Sequence, residues 1–333
     1  MDVLGIGNAI VDVLTHADDD TIRAHDLPKG GMTLINEAQA EALYAEARET
    51  RESSGGSIAN SVTVAAALGA STAYVGKVAD DALGSSFTSA IRAAGVHFAT
   101  PALVGGPSTA RCLVMVTPDG QRTMSTYLGA CTALAPDDID TDEVAGASVT
   151  LLEGYLADNA AGPEIIGKAA EGAAACGGKV ALSLSDAMCV ERHLDYFREL
   201  VANTVDIVIS DEDEVRALLD DAPVESILSG SGGRCEIVVM THGPNGSTVY
   251  SNGSVEKVEP RVVARVVDTT GAGDAYIGGF LHGYTRGIDL PTCGRIGSVV
   301  AAEVVTQLGA QPPDGIRELI ASAVPAASGP ATS

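Results

Sequence analysis

Apolar and polar positions are arranged in two ways along the chain, and each predicts a different part of the structure. In the C-terminal half, short apolar runs alternate with stretches of helical spacing. Runs that are apolar throughout are typical of parallel strands covered on both faces. This half therefore predicts an α/β fold, a mostly parallel β-sheet flanked by helices on both faces. The predicted strands are Thr150–Leu152, Lys179–Leu184, Asp206–Ile209 and Glu236–Met240, and the predicted helices are Pro163–Ala175, Glu191–Val201, Glu212–Leu219 and Cys293–Leu308.

The N-terminal half predicts more βα units and a second, smaller sheet. Ala110–Thr117 and Arg122–Leu128 alternate apolar and polar residues around Pro118-Asp119-Gly120, a pattern typical of a β-hairpin. With strands near 14–16 and 31–35, the hairpin would form a small sheet apart from the main one. The other predicted elements are a strand over Val3–Asp12, a helix over Glu37–Arg51, a glycine turn opening a helix that runs to Leu68, a strand over Ala73–Val78 and a helix over Asp81–Ala94.

Composition narrows the possible partners. The 333 residues include 20 Lys and Arg against 44 Asp and Glu, a formal net charge of −24 at pH 7. A chain so acidic is poorly suited to bind nucleic acid or an anionic membrane surface. The six cysteines are widely spaced, without a zinc-binding pattern, and no apolar run reaches membrane-spanning length. We expect a cytoplasmic protein whose ligands are small molecules.

The stretch from Asp268 to Gly283 concentrates the chemical signals. It follows the apolar run Val262–Val267, which predicts a strand, and its later small and apolar residues recur at helical spacing. Gly271, Ala272 and Gly273 leave the backbone of the turn unshielded. The first N–H groups of a helix lack partners within it and carry the positive end of its dipole. This turn is therefore suited to bind phosphate.

Asp274 lies inside this expected anion site, where a carboxylate is unfavourable unless it has a role. Aspartate at such a position most often caps the helix. It could instead take the proton from a hydroxyl that attacks the bound phosphate. The residues by themselves leave both interpretations open.

The motif Asp268-Thr-Thr-Gly-Ala-Gly-Asp-Ala-Tyr276 resembles the C-terminal signature of the ribokinase-like (phosphofructokinase-B type) family of sugar and nucleoside kinases. The resemblance implies a ribokinase-like fold, ATP and Mg²⁺ as cofactors, Asp274 as the catalytic base, and Gly271, Ala272 and Gly273 as the anion hole. It also implies that the small sheet is a lid over the substrate. We therefore expect residues 1–13, 37–106 and 129–333 to form the main domain, and residues 14–36 and 107–128 to form the lid.

A second match to the family lies far upstream. Gly55-Gly56-Ser-Ile-Ala-Asn60 resembles the N-terminal signature Gly-Gly-x-x-x-Asn, whose glycines and Asn contact the phosphate acceptor. Taken alone, the string predicts a capped helix with Asn60 facing solvent. Asn8 and Asp12 stand at the carboxyl end of the first predicted strand, where open α/β sheets bind ligands. The resemblance implies that Asp12 holds substrate hydroxyls, whereas alone it would be a turn or cap residue.

The loop after the strand Glu236–Met240 resembles the nucleotide loop of the family. Thr241, Gly243 and Gly246 match its Thr-x-Gly-x-x-Gly pattern, which implies ATP binding together with Thr270. A simple hairpin turn would also explain the glycines, and both interpretations can hold. His242, within the loop, is more simply incidental than catalytic.

Two metal sites follow from the resemblance. Glu214 matches the Glu of an Asn-x-x-Glu motif that organises Mg²⁺ through water, but Asp211 stands in place of the Asn. The change keeps an oxygen ligand for a hard cation and adds negative charge. The same acidic run is otherwise typical of a solvated helix start. Asp268, with Thr270 and the Gly309 backbone, could also hold a monovalent cation such as K⁺.

The lid segments suggest the acceptor. Residues 29–32 and 122–130 look most like bacterial adenosine-kinase-like members, and apolar lid side chains such as Met124 could contact a planar base. Packing within the lid, or a homodimer formed through it, would explain the same side chains, and the protein could equally be a monomer. Arg122 could reach a phosphate or be merely solvated.

We expect a kinase that phosphorylates a primary hydroxyl, with adenosine favoured over a sugar such as fructose, ribose or 2-keto-3-deoxygluconate. A catalytically silent ligand-binding protein on the same fold is a remoter alternative. An NAD-dependent oxidoreductase ranks last, because Gly5-Ile6-Gly7 lacks the third glycine of the dinucleotide-binding fingerprint.

Overall fold

The computed structural model describes residues 1–48, 50–119, 121–220, 222–228, 234–251 and 253–324. Its main β-sheet is built from strands that are spread along most of the sequence. The strands of this sheet are β1 Val3–Ile6, β5 Thr72–Val75, β6 His97–Phe98, β9 Val149–Glu153, β10 Lys179–Ser183, β11 Ile207–Asp211, β12 Ile237–Thr241, β13 Ser247–Ser251 and β14 Ser254–Val258. Their spatial order is β14-β13-β12-β11-β10-β9-β1-β5-β6. The pairs from β6 to β12 are parallel, and β13 and β14 are antiparallel.

The second sheet consists of short strands from the N-terminal half. Its strands are β2 Ile10–His16, β3 Met32–Leu34, β4 Arg51–Gly55, β7 Ala110–Val116 and β8 Arg122–Tyr127. They lie in the order β3-β8-β7-β2-β4. The predicted small sheet is therefore confirmed, including its hairpin, although Gly120 of the connecting turn lies outside the described residues.

Helices cover the main sheet on both faces, as predicted. Alternate residues of a strand point to opposite faces, and Leu4 and Val3 accordingly join different buried clusters. One cluster includes Phe197 of a helix on one side, and the other includes Phe280 of a helix on the opposite side. The helices are α1 Asp19–Ala24, α2 Glu37–Glu46, α3 Ser57–Ala67, α4 Ala82–Ala93, α5 Thr141–Ala145, α6 Gly162–Ala175, α7 Ala187–Arg192, α8 Leu194–Asn203, α9 Glu212–Leu219, α10 Ala272–Tyr284, α11 Leu290–Val304 and α12 Ile316–Ala323.

Among the described residues, none of these helices combines the length and apolar character that crossing a bilayer requires.

One face of the small sheet is covered by helices. Leu113 and Met115 of β7 are buried in the same cluster as Ile22 of α1 and Leu43 of α2. The same cluster also includes Phe87 of α4, so a helix of the main domain packs on this face as well.

The predicted first strand was wrong in one respect, because Val3–Asp12 is two strands in two different sheets. β1 ends at Ile6, and from Ile10 the chain pairs with β7 and β4 instead. Asp12 therefore lies within the small sheet. The predicted helix Glu37–Arg51 ends at Glu46, and Arg51–Gly55, expected as its end and a turn, form strand β4. Residues 10–13 and 51–55, assigned to the main domain from the sequence, thus pair in the small sheet.

Three further boundaries differ from the prediction. Val262–Val267 is not a strand; Val262 is 84% exposed, and the N–H of Val267 donates to the carbonyl of Val305 at the end of α11 rather than to a sheet. The helix predicted over Glu191–Val201 is two helices that meet at His193. The helix predicted over Cys293–Leu308 runs from Leu290 to Val304, with Pro291 in its first turn, where proline is well tolerated.

Candidate active site

The glycine turn that leads into α10 carries backbone N–H groups without a partner in the helix. Gly271 caps the helix with φ 73°, and a Cβ atom there would lie 2.3 Å from the Cβ of Ala310. The N–H of Ala272 donates to the carbonyl of Thr269 at 3.2 Å. Within the described part of the chain, the N–H groups of Gly273 and Asp274 have no acceptor. Of the expected anion hole, Gly271, Ala272 and Gly273, the N–H of Ala272 is thus used within the turn, and the anion hole itself stays a prediction.

Both carboxylate oxygens of Asp274 accept a hydrogen bond from α3. The hydroxyl of Ser57 donates to one at 2.7 Å, and the side-chain amide of Asn60 donates to the other at 2.9 Å. Burial raises the pKa of Asp274 above its ordinary value, and these two hydrogen bonds oppose the rise. Asn60 is buried rather than facing solvent. The carboxylate is thus held in one orientation beside the free N–H groups of the turn.

Two glycines at the end of β4 bring the expected acceptor residues together. A Cβ atom at Gly55 would lie 2.4 Å from the Asp12 carboxylate. Gly56 has φ 95°, and a Cβ there would lie 2.1 Å from the carbonyl oxygen of Asn8. No other residue type allows these approaches. Burial and the nearby charge of Asp274 raise the pKa of Asp12 to about 7.

Glu153 is a buried acid that the sequence analysis missed. It ends β9, is 1% exposed, and accepts a hydrogen bond from the N–H of Asn8 at 2.6 Å. Burial raises its pKa to about 8, with the charge of Asp274 adding to the rise. The signal available in the sequence was an acidic residue directly after the apolar run Val149–Leu152.

The small sheet reaches the turn through Arg122 of β8. Its guanidinium forms an ion pair with Asp268 and donates to the hydroxyl of Thr270. The carboxylate of Asp268 also accepts from the N–H groups of Thr270 and Gly309, each at 2.7 Å. Asp268 therefore already has several donors, and its suggested role as a ligand for K⁺ stays a prediction.

The expected nucleotide and metal residues lie along the next strands of the main sheet. Asp211 at the end of β11 is opposite Thr241 at the end of β12. Asp211 also caps α9, where its side chain accepts from the N–H of Glu214 at 2.9 Å and Glu214 bonds back to the N–H of Asp211 at 3.2 Å. Burial and the charge of Asp211 raise the pKa of Glu214 to about 7.

A cavity of about 190 Å³ connects these residues to the turn. Its walls include Ser57, Gly273, Asp274, Asp211, Glu214 and Thr241. Gly243 and Gly246 have φ 54° and 90° and shape the loop beyond Thr241. The structure therefore joins the expected phosphate site, base and metal site in one cleft. Carboxylate oxygens suit Mg²⁺, and those of Asp211 and Glu214 line this cavity together with the carboxylate of Asp274.

Met124 lies on the small sheet, two residues along β8 from Arg122. Its neighbours in register are Met32 of β3 and Val114 of β7. Because Arg122 meets the main domain on this face, Met124 and Met32 point to the same side. Met32 is 45% exposed and Leu34 is 57% exposed, so this face carries apolar side chains open to a ligand.

Comparisons with known proteins agree with this fold. A profile of the pfkB family of carbohydrate kinases matches residues 31–316. The structure is similar to that of an adenosine kinase from Sinorhizobium meliloti, with a TM-score of 0.88, 43% identity, and coverage of 97% of this chain and 99% of that one. It is similar to a probable sugar kinase from Rhizobium etli CFN 42, with a TM-score of 0.89, 40% identity, and coverage of 97% and 98%.

A curated relative extends the comparison to more distant sequences. A nucleoside kinase from Methanothermobacter thermautotrophicus is 27% identical over 93% of this chain and 91% of its own length. The similar proteins thus include kinases named for nucleosides and a kinase named for sugars. The likeness extends over nearly the whole length of each protein, so it concerns the complete fold rather than one motif.

Proposed function

This chain belongs to the pfkB family of carbohydrate kinases, as its motifs predicted, and we propose that it transfers the γ-phosphoryl group of ATP to the primary hydroxyl of adenosine, producing AMP. Membership makes it a phosphotransferase that acts on a hydroxyl group of a nucleoside or sugar. The observation that carries the proposal is the position of the Asp274 carboxylate, beside free backbone N–H groups at the start of α10.

In the proposed reaction, Asp274 accepts the proton of the attacking hydroxyl. Ser57 and Asn60 hold its carboxylate in place, and its raised pKa makes it a better proton acceptor at neutral pH. The N–H groups of Gly273 and Asp274 would stabilise the charge that develops on the transferred group, which is usually the largest contribution to catalysis in such sites. This assigns the chemistry to the start of a single helix.

Other residues would orient the two substrates. Asp12, with Asn8 and the backbone at Gly55 and Gly56, would hold the ring hydroxyls of the acceptor. Thr241 and the loop through Gly246, together with Thr270, would bind the nucleotide. The oxygens of Asp211 and Glu214 would hold Mg²⁺, which supplies positive charge to the phosphates when bound. Closure of the lid would exclude water that competes as acceptor.

Adenosine is favoured over a sugar by two observations. The lid face that carries Arg122 also carries Met32, Leu34 and Met124, and exposed apolar side chains suit a purine better than a bare sugar. The solved structure at 43% identity is that of an adenosine kinase. The probable sugar kinase at 40% identity keeps a sugar such as fructose, ribose or 2-keto-3-deoxygluconate as the second candidate.

The test is ADP release with ATP and Mg²⁺ against adenosine, other nucleosides and the three candidate sugars. We expect turnover with adenosine, and none with 5′-deoxyadenosine, which lacks the attacking hydroxyl but keeps the base and the ring hydroxyls. Asp274→Asn should lower kcat by about 10²–10⁴-fold. Asp195→Asn makes the same change on the exposed side of α8 and should leave kcat within twofold.

Turnover with a sugar alone would contradict the choice of acceptor while keeping the kinase assignment. Full activity of Asp274→Asn would contradict the assignment of the base.

A further inference from the structure

The side chain of His242 connects the loop after β12 to the start of α9. Its Nδ1 atom lies 2.9 Å from a carboxylate oxygen of Glu212, and its Nε2 atom lies 2.9 Å from the hydroxyl oxygen of Thr248. The imidazole is 20% exposed. Both ring nitrogens therefore have a partner, and the ring is held between a helix and strand β13.

The elements that His242 joins are the two halves of the proposed nucleotide site. Glu212 is the first residue of α9, between Asp211 and Glu214, which cap that helix. Thr241, directly before His242, lies opposite Asp211 in the sheet. The sheet sets the distance between the ends of β11 and β12. The start of α9 and the loop after β12, which follow those ends, need further contacts to be held in place relative to each other.

The loop itself has few side chains with which to make such contacts. Gly243 and Gly246 adopt positive φ angles of 54° and 90°. The backbone closes the turn, since the N–H of His242 donates to the carbonyl of Gly246 at 2.8 Å and the N–H of Asn245 donates to the carbonyl of His242 at 3.1 Å. These bonds fix the shape of the loop, and the imidazole adds a side-chain contact between the loop and α9.

A second partner also holds the Glu212 carboxylate. Four acidic residues begin α9 or precede it, Asp211 through Glu214, next to a site proposed for a polyphosphate. Arg216, one turn further along α9, forms an ion pair with the Glu212 carboxylate. Glu212 is thus directed toward His242 and Arg216.

We propose that His242 is a positioning residue for the nucleotide. By binding Glu212 and Thr248 together, it holds the loop from Thr241 to Gly246 at the distance from α9 that the phosphates of ATP and their metal require. The inference rests on the part of the proposed function that assigns ATP to this loop, and it is independent of which acceptor is phosphorylated.

The experiment compares His242→Ala with His242→Gln. The affinity for the non-hydrolysable analogue AMP-PNP with Mg²⁺, and separately for adenosine, is measured by calorimetry on the full chain, and the KM for ATP by ADP release. We expect His242→Ala to weaken AMP-PNP binding and raise the KM for ATP by about tenfold, with the affinity for adenosine changed less than twofold. A tenfold change corresponds to about 1.4 kcal/mol.

Glutamine separates positioning from simple loss of the ring. Its amide offers one donor, for Glu212, and one acceptor, for Thr248, so His242→Gln should recover most of the AMP-PNP affinity. The matched control is His25→Ala, which removes a His–Glu pair of the same 2.9 Å length and similar exposure, His25 with Glu46 on the lid side. That variant should bind AMP-PNP like the wild type.

Unchanged AMP-PNP affinity in a folded His242→Ala protein would overturn the proposal, as would an equal loss of adenosine affinity. A wild-type protein that binds AMP-PNP but phosphorylates only a sugar would overturn the choice of adenosine alone, and the same comparison of variants would still support His242.

Discussion

The side-chain amide of Asn60 donates a hydrogen bond to the carboxylate of Asp274 at 2.9 Å, and it does so from inside a buried turn of α3. Its own oxygen faces Gln311, whose amide lies 3.5 Å away and donates at 2.8 Å to the backbone of Ser54. The amide of Asn60 is therefore oriented by its neighbours, with nitrogen toward the acid. Asn60 thus contacts the proposed base, a relationship that the acceptor role expected from the sequence did not include.

Replacing Asn60 with Asp should shift the pH dependence of the reaction. The change keeps the size of the side chain but puts a second carboxyl where a donor stood, which favours the protonated form of Asp274. Because the base acts when ionised, activity rises with pH through its pKa, and this rise should move to higher pH in Asn60→Asp. At pH 7 we expect a loss of about 10–100-fold in kcat/KM.

The measurement is the profile of kcat/KM between pH 5 and 9 for both proteins. Asn203→Asp adds the same charge at the exposed end of α8 and should keep the wild-type profile. An unshifted profile in Asn60→Asp would show that the rise of kcat/KM with pH does not reflect the ionisation of Asp274.

Replacing Arg122 with Gln should slow phosphoryl transfer. Arg122 brings a positive charge from β8 to the turn that carries Thr270 and Asp268, and charged donors at a transferring phosphoryl group are commonly worth about 10²-fold or more. Arg122→Lys, which keeps the charge but not the planar fork, should fall between Gln and the wild type. Steady-state kinetics with ATP as the varied substrate measures this order.

The exposed Arg23 on α1 is the control for loss of a positive charge, since its ion pair with Asp20 is solvent-exposed and exposed pairs contribute little. Arg23→Gln should therefore match the wild type. Equal activities for Arg122→Gln and Arg23→Gln would mean that the guanidinium on β8 has no part in the reaction.

Alanine at Gly56 should damage both stability and acceptor binding. Its φ of 95° is strained for alanine, and the new Cβ would lie 2.1 Å from the carbonyl oxygen of Asn8. Gly95 provides a matched control, because its φ is 88° but no atom of the described residues lies within 4 Å of a Cβ built there. Both variants should lose about 1–2 kcal/mol from the backbone conformation.

Gly56→Ala should lose more than Gly95→Ala, because the backbone at position 56 and the Asn8 carbonyl must move apart. Urea unfolding measures the free energies, and the KM for the acceptor should rise in Gly56→Ala only. Equal stability and equal KM in the two variants would contradict the tight contact between Gly56 and Asn8.

Replacing Glu153 with Gln should change how stability depends on pH. Burial raises the pKa of Glu153 from 4.5 to about 8 in the folded protein, so the folded state holds this proton more tightly than the unfolded chain does. The stabilisation is complete below pH 4.5 and is lost as pH rises through the folded value. The free energy of unfolding of Glu153→Gln, minus that of the wild type, should therefore grow with pH.

The growth is expected between about pH 4.5 and 8, with a slope of up to about 1.4 kcal/mol per pH unit. Urea unfolding at pH 5, 6, 7 and 8 measures it. Glu164→Gln, on the exposed side of α6, should differ from the wild type by the same amount at every pH. A constant difference for Glu153→Gln as well would mean that Glu153 is ionised in the folded protein.

Local signals were sufficient for much of the fold. The helix Glu212–Leu219 was predicted with its observed bounds, and the parallel strands β9 to β12 were predicted to within about two residues, whereas no bounds were predicted for β13 and β14. Buried parallel strands are continuous apolar runs, and amphipathic helices repeat apolar residues at helical spacing. Both patterns can therefore be recognised in the sequence alone. Val262–Val267 misled the prediction because an apolar run does not specify whether a sheet edge is available to it.

The break between β1 and β2, where the chain passes from the main sheet to the small sheet, was not marked by any local pattern in the sequence either. Val3–Asp12 is apolar throughout its first part, and the pairing of Ile10–His16 with β7 depends on residues about a hundred positions away. Which sheet a strand joins is decided by long-range pairing, and a single window of sequence carries no information about that choice.

The sequence by itself determined the family, the α/β class and the residues with which a kinase site can be built, because these depend on residue types at fixed spacings. The tertiary structure alone decided which of those residues meet. In the folded chain, Asn60 donates a hydrogen bond to Asp274, and the buried Glu153 accepts one from Asn8. Arg122 forms an ion pair with Asp268, and His242 is hydrogen-bonded to Glu212. Each of these contacts joins segments that are distant along the chain, and their strength depends on burial and geometry that appear only when the segments pack together.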